Sequence, residues 1–160
     1  MAYDVLDIAR YIINYGNKKE YNISNLKLQK ILYFVQASFL VDKNMQPCFN
    51  EDIEAWDFGP VVPKVYREFK MYGSNNIPYI DSYIDLSNGI WEATKKLYNE
   101  DIIFPEDKNL INSMVDECSQ YSAGQLVEIT HNQDPWKNVY FSGWNKIITK
   151  DSIYNFFSEG

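Results

Sequence analysis

The stretch SNLKLQKILYFVQASFL, residues 24–40, decides the fold. Ser24 is a residue type that caps a helix N-terminus, because its hydroxyl accepts from a backbone N–H that the first turn leaves free. Behind it Leu28, Ile31, Leu32, Val35 and Phe39 recur at steps of three and four and form one helical stripe. Leu26, Tyr33, Ala37 and Leu40 widen that stripe to most of the circumference. A helix apolar on so much of its surface must be covered on several sides, so it is expected at the centre of the fold. Its polar remainder, Lys27, Gln29, Lys30, Gln36 and Ser38 with Phe34 among them, faces either solvent or a neighbouring helix, and both readings stay open.

Outward from that helix the chain reads as short helical segments. Asp4 caps a first helix with Val5, Ile8, Ala9, Ile12 and Ile13 on one face, expected to end near Gly16. After Cys48 the pattern turns irregular and aromatic, and Ile53, Ala55 and Trp56 suggest a brief extended stretch. Pro63 suits the first turn of a helix, carried by Val62, Val65, Tyr66 and Phe69 to Gly73. Residues 74–86 read as loop or short strands, and Ile90 to Tyr98 returns to helical spacing. Leu110, Ile111, Met114, Val115 and Cys118 mark another helix. Ser122 and Gln125 have capping-box spacing ahead of Leu126 and Ile129, and Thr149 caps a last helix with Ile153, Phe156 and Phe157. The expected fold class is all-α, a compact multi-helix domain over residues 1–160 around the central helix, with at most a small β element.

Composition narrows the function classes. Hydrophobic residues are 46% and aromatics 16%, enough apolar surface to offset the entropy of ordering. With 15 basic and 22 acidic side chains the net charge is −7, a field that repels phosphate backbones, so no nucleic-acid partner is expected and a cationic protein is the easier match. The two cysteines, Cys48 and Cys118, form no CxxC pattern, so neither a disulfide framework nor a zinc site is signalled. No basic leader or membrane-length apolar run is present, and a cytoplasmic protein without membrane contact is expected.

Few residues could carry chemistry. His131 lies in the run THNQDPW, residues 130–136, where Asp134 could orient it as a base and Cys118 or a serine could be the nucleophile of a small hydrolase. The alternative is that His131 bonds the last carbonyls of its helix while Pro135 stops it and Trp136 packs back. The acids Glu51, Asp52 and Glu54 are weighed as a carboxylate pair against a solvated surface, and surface is the expectation. One His and two scattered Cys do not make a metal site, and no glycine-rich phosphate loop occurs, so no metal, no cofactor and no enzyme activity are expected. The run WDFGPVVP, residues 56–63, is more peculiar: Gly and two Pro rigidify a loop bearing two large aromatics, and such preorganised rings lose little entropy on binding a partner.

Three runs together resemble the Panacea domain, the SocA-like or phage-associated family. They are SNLKLQKILY (24–33), IEAWDFGPVVPKVY (53–66), and His131 with Pro135 and Trp136. The middle run is the most specific, with Trp56, Gly59, Pro60, Val61, Pro63 and Tyr66 in order, then Phe69 and Gly73. The resemblance implies an antitoxin that binds and neutralises a cognate toxin, in some members as an adaptor delivering it to a host protease, and no catalysis. Members often carry extra N-terminal modules; with a first helix at residue 4, a DNA-binding arm is not expected. A phage-encoded regulator of a host protein is the other binding reading. The residues expected to meet the partner are Lys27, Lys30, Phe34, Trp56, Phe58, Pro60, Tyr66, His131 and Trp136.

Trp56 separates core from interface. If its ring is core, Trp56→Ala costs about 3–5 kcal/mol of stability; if it is interface, the melting temperature holds and affinity for the partner falls. A change in neither removes Trp56 from both roles.

Overall fold

The computed structural model describes residues 2–159, and it corrects the all-α expectation: the domain is predominantly helical but mixed, with two small antiparallel sheets. In chain order the elements are α1 (Val5–Lys18), α2 (Asn25–Asp42), β1 (Ile53–Trp56), β2 (Gly59–Val61), α3 (Pro63–Phe69), β3 (Ser82–Asp85), β4 (Thr94–Leu97), α4 (Pro105–Cys118), α5 (Ala123–His131), α6 (Asp134–Lys137), β5 (Lys146–Ile148) and α7 (Lys150–Ser158). Single 3-10 turns follow α3 at Lys70–Tyr72 and occur at Ile90–Glu92 and Glu100–Ile102.

Helix α2 is the axis. It packs against α1, α3, α4, α5, α7 and β2, and Leu28, Ile31, Leu32, Tyr33, Val35 and Leu40 are fully buried. The Ser24 hydroxyl accepts from the Lys27 N–H. Asp4 and Thr149 cap α1 and α7 in the same way, and Ser122 with Gln125 completes a reciprocal capping box on α5. Pro63 opens α3 in its first turn, where a missing donor costs nothing.

The brief extended stretch expected at Ile53, Ala55 and Trp56 is β1, whereas β5 was hard to anticipate because its pairing with β1 is non-local and it is only three residues long. β1 is the middle strand, flanked by β2 and by β5, which lies some ninety residues further along the chain. Ile53 pairs with Ile148 and both point into the core; Glu54 pairs with Ile147 on the opposite, outer face. Two further expectations are corrected. Ile90–Tyr98 is no helix but a 3-10 turn and strand β4, paired with β3 in a two-stranded hairpin. Helix α1 runs past Gly16 to Lys18; Gly16 is there because a Cβ would stand 2.4 Å from Ile23 Cδ1, so the glycine admits a close crossing and does not end the helix.

Four polar residues of α2, Asn25, Gln29, Lys30 and Gln36, are buried and bond the backbone of the chain between Cys48 and Tyr66. Gln29 Oε1 accepts from the Val62 N–H at 2.9 Å, while its Nε2 donates to Asn25 Oδ1 at 2.9 Å, and Asn25 Nδ2 donates to the Tyr66 carbonyl at 3.0 Å. One turn from the middle, Gln36 Nε2 donates to the Phe49 carbonyl and Gln36 Oε1 accepts from the Cys48 N–H, both at 2.8 Å. Without these partners, buried loop amides and carbonyls would be stranded.

Gln29→Leu keeps the volume but orphans the Val62 N–H and unties Asn25. Each buried group left unsatisfied costs about 1–3 kcal/mol, so urea unfolding should show a loss of that order; a change within about 0.5 kcal/mol, as for an ordinary surface site, contradicts the assigned role.

Candidate functional site

The β1–β2 hairpin and the segment before β5 make the site, and its geometry starts with what lies underneath. The turn between β1 and β2 crosses α2 and α5 at Gly59, which has φ +104; a Cβ would sit 2.7 Å from Lys30 Cε and 2.8 Å from Thr130 Oγ1. Only glycine has both the backbone freedom and the missing side chain for this crossing. Lys30 is fully buried, and its ammonium donates to the Pro60 carbonyl at 3.1 Å. Burial lowers its pKa to about 7. From the other side Trp136 Nε1 donates to the Trp56 carbonyl at 2.8 Å. Trp136 is the middle ring of a stack, with His131 at 4.0 Å and Tyr140 at 4.4 Å, and the Tyr140 hydroxyl donates to Asp57 Oδ1 at 2.5 Å.

Above this support the outer face of the sheet is aromatic. Trp56 and Tyr66 meet edge to face at 5.1 Å and cover Val61, which is buried yet separate from the main core. With Leu26, Asp57, Phe58, Gly143 and Asn145 they line a shallow cavity of about 290 Å³. Around it Phe58 is 66% exposed, Trp144 67%, Phe141 60% and Ile147 50%. Exposed apolar side chains this large beside a hairpin held by buried hydrogen bonds make this face the candidate site.

The nine residues singled out from the sequence fall into three places. Trp56, Phe58 and Tyr66 come together on the outer face. Lys30, Pro60 and Trp136 are buried beneath it, and His131 is half-buried there. Lys27 and Phe34 lie elsewhere: Lys27 is buried, and Phe34 packs edge to face on Tyr33 and Phe157. Sequence reasoning missed Leu26, Val61, Phe141, Trp144 and Ile147. FSGWNKI, residues 141–147, carried the one available signal, two aromatics around a glycine with no apolar periodicity to bury them.

The hydrolase constellation does not assemble. His131 is stacked on Trp136, its pKa lowered chiefly by burial, and its charged and polar surroundings are the Asp57 backbone and Lys30. Cys118 is buried beside Glu117 and Lys27, with burial pushing its thiol up to about 12, the opposite of nucleophile activation. Among the described residues no group of three or more His, Cys, Asp and Glu is placed to hold a metal ion, and no helix is long and apolar enough to cross a membrane.

The site is thus an aromatic sheet face pinned onto a central helix by buried hydrogen bonds. The antitoxin SocA-like, Panacea domain family matches residues 28–137, and the chain belongs to that family. It is 34% identical over 134 residues to the antitoxin SocA of Caulobacter vibrioides (strain NA1000 / CB15N), an overlap spanning 83% of this chain and 68% of that protein. No solved structure matches the chain significantly.

The buried lysine gives the site a titration signature. Its folded-state pKa lies below the ordinary 10.5, so between about pH 7 and 10.5 the unfolded chain binds the extra proton. Lys30 therefore costs most stability below about pH 7, and the cost fades as pH rises toward 10.5. Lys30→Met lacks this titration, so across that window the native protein should gain on the variant by at most about 1.4 kcal/mol per pH unit. Unfolding curves for both that run parallel with pH would contradict it.

Proposed function

We propose that this chain neutralises a toxin by direct protein–protein contact, without catalysis, and that the contact surface is the outer face of the three-stranded sheet. The observation that carries the reading is the exposure of Phe58, on a hairpin held from beneath by Lys30, Gln29 and Trp136, together with Phe141, Trp144 and Ile147 of the neighbouring segment that leads into β5. Rings in a fixed position supply binding energy with little ordering cost, and hot spots at interfaces are enriched in such residues. Family membership supplies the biological context, and the relative's name, antitoxin SocA, fits it.

In this reading the residues foreseen from sequence divide their labour. Trp56, Phe58 and Tyr66 touch the partner, while Lys30, Pro60, His131 and Trp136 hold the hairpin in shape. Phe141, Trp144 and Ile147, which lie beyond the stretch matched by the family, residues 28–137, extend the contact at the rim. Delivery of the toxin to a host protease is the finer form of the same function. It predicts a shorter toxin half-life when the antitoxin is present, whereas simple blocking leaves the half-life unchanged or longer.

The test is co-expression with the product of the adjacent gene, scoring rescue of growth and co-purification. Phe58→Ala and Trp144→Ala should each leave the melting temperature nearly unchanged, because the rings are exposed, and weaken the complex by about 2 kcal/mol, roughly thirtyfold. A neighbour that binds equally well to both variants removes the surface assignment; a neighbour that neither binds nor is neutralised removes the antitoxin mechanism.

A further inference from the structure

We infer that the partner engages this face through a short, basic, extended segment that adds as a fourth strand to the free edge of β5. The inference rests on the toxin-binding reading above and specifies its chemistry.

β5 is the end strand in the order β2–β1–β5, paired on one side with β1. Among the described residues no backbone hydrogen bond joins residues 145–148 to any element but β1, and Lys146 and Ile147 are exposed while Ile148 is buried. Such an edge templates pairing with another chain, and proteins blunt it with short strands, lysine, proline, a bulge or a covering loop, of which β5 has the short length and Lys146. Here Ile147 presents a half-exposed aliphatic side chain, Trp144 stands two residues before Lys146, and Lys146 is the strand's one charge. An extended peptide on this edge would bury alternate side chains against Ile147 and the Trp144 and Phe58 rings while its backbone completes the ladder.

Charge selects the occupant. Asp52, Glu54 and Asp57 lie on or beside β1, and among the described residues none has a cation within salt-bridge distance, while Lys64 pairs with Glu51 at 3.8 Å and Asp4 at 4.0 Å. Glu54 shares the outer face with Ile147, its cross-strand partner. The Trp144 ring already takes a cation, the Lys146 ammonium 5.6 Å from its centroid, so arginine or lysine from a partner meets a receptive π-face. A second copy of this chain would bring the same acids against these ones in a protein of net charge −7, which disfavours edge-to-edge self-pairing. The segment that fits alternates apolar residues with lysine or arginine over about four residues.

The experiment uses the intact chain and overlapping peptides of about twelve residues covering the adjacent gene's product, with the full-length product in parallel. The expected result is that binding concentrates in peptides with alternating apolar and basic residues. N-methylation of the alternate amides that face the edge should weaken the best peptide at least tenfold, whereas N-methylation of the other register should not. Exchanging Glu54 and Asp57 for lysine should weaken it further and flatten its salt dependence. If the full-length product binds but none of its peptides does, or both methylation registers bind alike, the edge reading is overturned while the antitoxin reading stands. A β5-mediated dimer of this chain in sedimentation would also overturn it. If the full-length product fails to bind, both readings fall.

Discussion

The fold depends on a row of buried polar side chains along one helix. α2 combines an apolar surface that gathers five other helices with Asn25, Gln29, Lys30 and Gln36, whose heads bond backbone groups of segments that cannot satisfy one another. An apolar helix alone would organise a bundle but would leave the irregular stretch from Cys48 to Val62 with stranded amides and carbonyls. The polar row lets that stretch lie directly on the core, and the rigidity of the aromatic face follows from it. Lys30 shows the cost involved: a fully buried ammonium bonded to one carbonyl is expensive near neutral pH, and the hairpin geometry, with a glycine at its closest approach, is built around it.

This division also separates support from recognition. The buried bonds act from below the sheet, and the exposed rings stand above it, so substitutions above need not disturb the frame. The second exposed apolar surface is the β3–β4 hairpin, with Trp91 97% exposed, and just before β3 the buried Asn14 of α1 exchanges two hydrogen bonds with the Ile80 backbone. Its strands pair only with each other, and the Arg10 guanidinium stacked 3.5 Å over Tyr83 ties it to α1.

Much of the helical frame was legible in the sequence because capping and 3.6-residue periodicity are local. Asp4, Ser24, Ser122 and Thr149 each cap the helix their positions suggested. β1 was legible as the brief extended stretch at Ile53, Ala55 and Trp56, but the closing of the sheet was not, because β5 finds β1 across nearly a hundred residues and a three-residue strand has no period to detect. The polar face of α2 was read as a list of residues but not as a set of anchors, since sequence spacing does not reveal a carbonyl arriving from another segment. The same blindness placed Lys30, Pro60 and Trp136 among contact residues, although burial puts them in the support. Phe141 and Trp144 went unremarked because no pattern links them to Phe58; only the folded chain brings them to one rim.

The most direct test of the account is hydrogen–deuterium exchange on the protein alone and in complex with the neighbouring gene product. The account predicts slowed exchange in residues 56–61 and 141–148, with the amides of 82–97 unchanged. Protection confined to the β3–β4 hairpin, with the outer sheet face exchanging as in the free protein, would contradict it.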